Sequence, residues 1–534
     1  MKNPILTIKM GFSVKQIFIF FTELFSIFAK KLTPMGYKSF LVKPFAKKIA
    51  RDILKWSKEA VSAQDKVFQN LIQGAKHTSF GKDHGFEKIN SYEAFKAQVP
   101  IRDYEGLKDY IEQIKDGKSD VLWKGLPKYF AKTSGTTSGV KYIPLTKESI
   151  PNHFGTARNA LFNYYAKTGK GDFLDGKMIF LSGSPTLTEI SGIKTGRLSG
   201  IVNHMVPGWL KRDQLPSYPT NCIDEWEEKL DKIVEETLGQ DMRLISGIPP
   251  WVQMYYERLL EVSGKEYIKD LFPNYNTFVY GGVNFEPYRS KLEELVGKKI
   301  NSLETYPASE GFIAFQDAHP HKGLLLNVDS GIFYEFVPAE EINNDNPTRI
   351  ALKDIELSVN YAIILNTNAG LWGYNIGDTV QFVSKDPYRI IVSGRIKHFI
   401  SAFGEHVIGK EVEESLMSVA NKEGLRIIEF TVAPQVNPTE GELPFHEWFI
   451  EFDEAPNNIS KLSTEVDKAM IKQNIYYQDL ISGKILQPLK IRIMQRDSFR
   501  NYMKSQGKLG GQNKVPRLSN DRKIADQLQQ FILE

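Results

Sequence analysis

"AKTSGTTSGVKYIPLT", residues 131–146, sets five hydroxyl side chains (Thr133, Ser134, Thr136, Thr137 and Ser138) around Gly135 and Gly139, and follows them with Lys141. A turn needs one or two glycines and no such run of hydroxyls. Backbone N–H groups and hydroxyls in this pattern can surround a polyphosphate without adding full charges. The run is not a Walker A P-loop. Its two glycines stand one residue too close together for G-x-x-x-x-G-K, and Val140 separates Gly139 from Lys141. Neither G-x-S-x-G nor H-E-x-x-H occurs in the chain. Read alone, the stretch fits a turn-rich surface loop as well as a phosphate cradle.

Working outward, the texture before this loop is helical. "LVKPFAKKIARDILKWSKEAVSAQDKVFQNLIQGA" and "SYEAFKAQVPIRDYEGLKDYIEQIKDG" carry apolar residues near helical spacing, with Ser91 as a helix start and Pro100 as a break. After the loop, short apolar runs alternate with helices. "KMIFLSGSP" (177–185) and "NTFVYGG" (276–282) predict buried strands that run into small residues. "DEWEEKLDKIVEETLG" predicts an amphipathic helix with Trp226, Leu230, Ile233, Val234 and Leu238 on one stripe. That alternation argues for an α/β body with its site at the carboxyl ends of the strands.

From Gly331 the chain becomes strand-rich, in "GIFYEFVP", "YAIILNTN", "DTVQFV" and "RIIVSG". Beyond Gly394 come a helix in "EVEESLMSVANKEG", a half-exposed strand in "HEWFIEFDE", a helix from Ile459 to Lys472 and a strand in "KIRIMQ". We therefore expect a large N-terminal domain over 35–395, with mixed sheets and a β-rich subregion, and a small, mobile C-terminal α+β domain over 396–534.

Bulk composition narrows the function classes. The 534 residues are 41% hydrophobic and 25% charged, an ordinary globular profile long enough for two or more domains. Net charge is only +4, with no basic block, so nucleic acid is not an expected partner. One cysteine, Cys222, excludes an intrachain disulfide framework and fits a reducing, cytoplasmic setting. The apolar stretch Ile17–Ala29 is too short to span a bilayer and is interrupted by Glu23. It reads as a membrane-surface helix, as a docking helix, or as part of a dispensable extension over 1–34 preceding a start at Met35. No integral membrane segment is expected elsewhere.

Four further segments bear on the loop. In "YGGVNFEPYRS" the pair Gly281–Gly282 ends an apolar strand and lets backbone pass close to a flat ligand. "ETYPASEGFIAF" places Tyr306 four residues before Glu310, an aromatic platform beside a lone acid. "GYNIGDTVQFV" sets Asp378 after a glycine turn at a strand start. "VSGRIKHFISAFGEHVIGKEVEES" joins Arg395 and Lys397 to a second glycine turn before a helix. Singly, Glu310 reads as a solvated carboxylate, Tyr306 as a core aromatic and Asp378 as a turn residue. Their order and their strand-end positions give them weight.

That order resembles the adenylate-forming superfamily. "TSGTTSGVKYIPLT", "YPASE" and "YNIGD" are most similar to the Gretchen Hagen (auxin-responsive) family of acyl acid-amido synthetases, here as a bacterial relative, and the resemblance runs from about Met35 to the C-terminus. It implies an ATP-dependent, Mg²⁺-using ligase that adenylates a small carboxylic acid and transfers the acyl group to an amino acid. By that resemblance Thr133, Ser134, Gly135, Thr136, Thr137, Ser138 and Gly139 hold the phosphates. Gly281, Gly282, Val283 and Tyr306 flank adenine, Asp378 takes the ribose hydroxyls and Glu310 binds Mg²⁺. Arg395 assists, and Lys397 lies at the hinge.

The tail departs from the superfamily's P-x-x-x-x-G-K. "SQGKLGGQNKVPRLSND" instead contains Gln-x-Lys-x-Pro-Arg, which makes Lys514 the expected catalytic lysine and Lys508 its rival. An acyl pocket is expected to draw on the helix from about His153 to Tyr165, on Trp251, Met254 and Tyr255 in "SGIPPWVQMYY", and on Arg197; core packing is the plainer role for Trp251, Met254 and Tyr255, and surface exposure for Arg197. Two other readings remain: the same adenylation with a thiol acceptor such as coenzyme A, and a non-catalytic nucleotide-binding scaffold.

Overall fold

Short apolar strands linked by amphipathic helices form the heart of the molecule. Lys177–Phe180, Met242–Ser246, Thr277–Gly281 and Asn301–Ala308 lie side by side and parallel, with Gln214–Leu215 at the edge. Parallel neighbours require crossovers, and the helices Trp226–Thr237, Pro249–Ser263 and Glu286–Val296 supply them. Ile179, Ile245 and Phe278 pack with Trp226, Ile233 and Leu292 in one core. The computed structural model describes residues 36–534 apart from 135–139, 207, 224, 283–284, 319–322, 397–398, 401–406, 437, 439–441, 483–484, 510–513, 520 and 534. The Ile17–Ala29 stretch, the centre of the hydroxyl loop, Val283 and Lys397 thus lie outside the described residues.

The same sheet continues as an antiparallel half, giving twelve strands in all. Asn301–Ala308 turns back through Ser309 and Glu310 into Gly311–Phe315. Beyond it follow Leu324–Leu326, Tyr388–Arg395, Tyr374–Lys385, Asn360–Thr367, Ile332–Pro338 and Ile350–Ala351. The four strand-rich runs read after Gly331 are all here. The seam between parallel and antiparallel halves is therefore the strand carrying Tyr306 and the turn carrying Glu310.

The opening stretch is a hairpin within a separate four-stranded sheet. Tyr129–Ser134 pairs antiparallel with Val140–Leu145, with Ser134 opposite Val140. The sequence reading saw only a loop there, because hydroxyls and a lysine mask the alternation; Phe130, Ala131, Ile143 and Leu145 are the buried half of it.

At the C-terminus, Ile427–Gln435, Phe445–Phe452 and Lys490–Ile493 form a three-stranded sheet with the helices Gly409–Glu423 and Ile459–Gln473. Here the structure corrects the reading of "HEWFIEFDE" as half exposed: every residue from Phe445 to Phe452 is buried. The strand is central and covered on both faces. Trp448 and Ile450 face one core with Leu416 and Val466, while Phe449 faces another with Phe499 and Tyr502. Its acids are paired rather than solvated: Glu447 bonds Arg492 at 2.7 Å and Arg522 at 2.8 Å.

Candidate functional site

Two parallel strands ending together create the centre of the site. Gly281 closes Thr277–Gly281 opposite Thr305. A Cβ on Gly281 would stand 2.5 Å from the Thr305 carbonyl oxygen, so only glycine fits between these strands. Gly282 follows with φ +76°, a left-handed conformation that side chains resist. A Cβ there would lie 2.8 Å from Nζ of Lys514. The chain thus brings the ammonium of Lys514 against the glycine pair from a position more than 230 residues later.

The C-terminal sheet delivers that lysine. Residues 516–519 run along the strand Ile427–Gln435: Thr431 Oγ1 donates to the Pro516 carbonyl at 2.7 Å, Val432 N–H to Arg517 O at 3.0 Å, and Ser519 N–H to Val432 O at 2.9 Å. Leu518 is fully buried and fixes the strip. Arg517 ion-pairs with Glu429 and donates to the Tyr288 hydroxyl at 3.2 Å; that hydroxyl donates to Glu429 at 2.8 Å. Tyr288 belongs to the helix Glu286–Val296 that leaves the glycine pair, so this cluster joins the two parts of the chain beside the site. The ion pair Arg426–Glu294 and the 2.9 Å contact of Lys504 with Glu227 add to it.

One step along the seam strand, the Tyr306 hydroxyl donates to Asp378 Oδ2 at 2.6 Å, and both residues are buried. Asp378 sits on Tyr374–Lys385 with its backbone opposite Arg395 on the neighbouring strand. Glu310, in the turn after Tyr306, receives a 3.5 Å contact from the Tyr374 hydroxyl. Burial, and then the Glu310 charge, hold the Tyr374 phenol well above its ordinary pKa, so it remains a donor. Among the described residues no group of three or more His, Cys, Asp or Glu is arranged to hold a metal.

Glu304 escaped the sequence reading. It precedes Tyr306 by two positions, so both project from the same face of their strand. Burial pushes its carboxyl up to about 7, and the Tyr280 hydroxyl donates to it at 3.3 Å. Glu304 lines a polar cavity of about 500 Å³ shared with Tyr280, Glu286 and Arg289. The period-two spacing from Tyr306 was the signal available in "ETYPASE".

Other expected residues lie apart from this constellation or in the core. Thr133 and the backbone of Ser134 end the hairpin strand that leads into the undescribed 135–139. Trp251 packs on Trp226 with ring centres 4.9 Å apart. Tyr255 is fully buried and its hydroxyl donates to Thr237 at 2.7 Å, which is core packing. Met254 lies half-buried against the same core, and Arg197 is exposed at the start of the helix Leu198–Met205. Lys508 is exposed, with its N–H bonded to Met503 O at 2.9 Å.

Similarity to known proteins identifies the family. The chain is 21% identical to a jasmonoyl–L-amino acid synthetase of Nicotiana attenuata, covering 84% of this chain and 88% of that protein. It is 22% identical to an indole-3-acetic acid-amido synthetase of Arabidopsis thaliana, covering 85% and 89%. In fold it is similar to the solved acyl acid amido synthetase AtGH3.15 in complex with 2,4-DB, with a TM-score of 0.75 at 16% identity over 91% of this chain and 96% of that one. A 2-hydroxyisobutyryl-CoA ligase in its postadenylation state shares the architecture more distantly, with a TM-score of 0.57 at 11% identity over 88% and 91%. The GH3 family N-terminal domain matches residues 49–207, the central domain 325–395 and the C-terminal domain 410–523, in that order along the chain, and the protein belongs to the GH3 family.

Proposed function

We propose that this chain uses ATP to activate a carboxylic acid as its acyl-adenylate and passes the acyl group to the amine of an amino acid. The observation that carries this reading is the match of all three GH3 domains in chain order, on a fold that sets Lys514 against Gly282 and Tyr306 against Asp378. The curated relatives are synthetases that join an acid to an amino acid.

The residues present suit a nucleotide. Without a side chain at Gly282, a flat base could approach the backbone closely beside Lys514, and Tyr306 would offer a ring on the neighbouring strand. Asp378 supplies acceptor oxygens for ribose hydroxyls, oriented by the Tyr306 hydroxyl. By the family resemblance, Thr133–Gly139 is the phosphate loop of this proposal and Val283 is assigned to adenine. Lys514, and Arg395 by the family resemblance, would supply positive charge where phosphate charge develops. Mg²⁺, if used, would be held by Glu310 together with phosphate oxygens, since one carboxylate plus phosphates is a common way to hold this ion. When bound, it would neutralise phosphate charge.

The reaction then needs three things from the chain. The carboxylate must be held in line with the α-phosphate, water must be excluded, and the amine must reach the activated carbonyl. We place the domain boundary at 395–396 with Lys397 at the hinge, and take Met254 and Arg197 as the acyl-pocket candidates that the core leaves available.

Pyrophosphate release from ATP and Mg²⁺ across a panel of carboxylic acids, with amino acids or coenzyme A added, tests the reading. Acid-dependent release with an amide product identified by mass supports it. A thioester product replaces the acceptor. ATP binding without release on any acid would favour the scaffold reading.

A further inference from the structure

The helix Tyr37–Lys58 is apolar on its exposed side as well as on its buried one. It docks through Ser39, Ala46, Ile49, Ile53 and Ser57, which are buried, with Val42 and Trp56 partly buried beside them. Polar contacts pin its start: Lys38 N–H donates to Asp175 Oδ1 at 3.0 Å, Lys38 Nζ reaches Asp213 at 2.6 Å, and Tyr165 donates to Ser39 O at 2.9 Å. Further large apolar side chains lie on the outward side. Tyr37 and Phe40 are 56% exposed, Leu41 50%, Phe45 44% and Leu54 55%. These are five of the fifteen exposed large apolar side chains among the described residues, gathered on one helix. Such clustering marks an interaction surface.

Charge on the same helix identifies what the surface meets. It carries seven basic residues and a single acid, Asp52. Apolar exposure dominates its first half, through Tyr37, Phe40, Leu41 and Phe45, and exposed Lys47, Lys48, Arg51, Lys55 and Lys58 occupy the second. A second copy packed on this face would oppose one cationic stripe to another. An apolar protein groove would cover the rings and leave the cations without counter-charge. An anionic bilayer surface meets both halves: rings sink to the acyl boundary while lysines and Arg51 stay among the phosphates.

We propose that the outward face of Tyr37–Lys58 is a peripheral docking surface for anionic lipid bilayers. No described helix is long and apolar enough to cross a membrane, so the contact is interfacial. The body then rests on the bilayer through the helix Ile150–Thr168 beneath it, against which Tyr165 holds Ser39 and Phe45 meets Phe162 edge-on at 5.4 Å.

The test uses the full chain in flotation with vesicles of phosphatidylcholine alone and of phosphatidylcholine with phosphatidylserine, at low and high salt. Two variants accompany it, F40S/L41S and K47E/K48E/R51E. All five positions are exposed, and unchanged thermal melting checks that both variants fold. The expected result is salt-sensitive binding to serine-lipid vesicles only. Each variant should lower bound protein, the charge reversal by about tenfold or more. Absence of binding, or binding that both variants leave intact, overturns the proposal. So does a concentration-dependent dimer that F40S/L41S disperses, which would make a second copy the occupant.

Discussion

The Tyr306 hydroxyl donates to Asp378 at 2.6 Å across the seam between the parallel and antiparallel halves of the main sheet. One bond therefore couples the strand that continues into Glu310 to the strand that leads from Tyr374. A Tyr306→Phe change keeps the ring and removes the donor. Asp378→Ala removes the acceptors themselves. The expected order of loss in ATP affinity, by calorimetric titration, is Asp378→Ala at about tenfold or more and Tyr306→Phe smaller. Unchanged affinity in Asp378→Ala would exclude the ribose role.

Lys514 meets the glycine pair, and its removal should act on rate. Lys514→Ala is expected to slow acid-dependent pyrophosphate release by about a hundredfold or more while ATP affinity changes little. Lys508→Ala is the control. If the control reproduces the effect and Lys514→Ala does not, the assignment passes to Lys508.

Gly282→Ala tests the approach itself. The new methyl would occupy a left-handed conformation and stand 2.8 Å from Lys514 Nζ. The backbone cost is about 1–2 kcal/mol, and the lysine must withdraw. Slower pyrophosphate release with a modest fall in melting temperature is the expected pair of results.

Glu304 makes stability depend on pH. Its carboxyl rises from an ordinary 4.5 to about 7 because burial disfavours the charge. Tyr280 donates to it, Arg289 offsets part of the shift, and the charges of Glu286 and Glu413 add to it. The folded state thus binds more protons than the unfolded chain between 4.5 and 7, so this group's stabilisation is lost as pH rises through that window. The loss amounts to about 3 kcal/mol by linkage. Urea unfolding at pH 5 and pH 8 should show a smaller difference between the two pH values in Glu304→Gln than in the wild type. Equal differences would deny the shift.

A buried ion pair sets a stability prediction away from the site. Glu335 is fully buried and receives Arg349 through two bonds, at 3.1 and 2.8 Å, with Tyr92 at 3.0 Å and Asn366 at 2.8 Å completing its shell. Arg349→Ala leaves a carboxylate without its cation and should cost about 3–5 kcal/mol. Chemical denaturation measures it, and a loss below about 1 kcal/mol would show that the pair is not needed.

Much of this architecture was readable because its signals are local. The strand Thr277–Gly281 announces itself as an apolar run into glycines, and Ser91 caps its helix by accepting the Ala94 N–H at 3.1 Å. Tyr306, Glu310 and Asp378 stood out through short motifs, although Asp378 lies inside Tyr374–Lys385 rather than at its start. What stayed hidden depends on partners remote in sequence. The burial of Glu447 needs Arg492 and Arg522, and nothing within "HEWFIEFDE" points to either. Glu304 is one acid among 64 until its strand is known to be covered. The outward face of Tyr37–Lys58 is likewise invisible in a periodic pattern, since spacing alone cannot say which side docks.

The strip 516–519 has a mechanical consequence. It is stitched to the C-terminal sheet by Thr431 and Val432, whereas Gly282, Tyr306 and Asp378 stand on the main sheet. Gly282, Tyr306 and Asp378 therefore ride on one platform and Lys514 on another, clasped together through Tyr288, Glu429 and Arg517. Loosening that clasp by a few ångströms would carry the ammonium away without disturbing a single group on the main sheet. On the proposed roles, such a movement would part Lys514 from the nucleotide groups, with the Tyr288 hydroxyl as the joint.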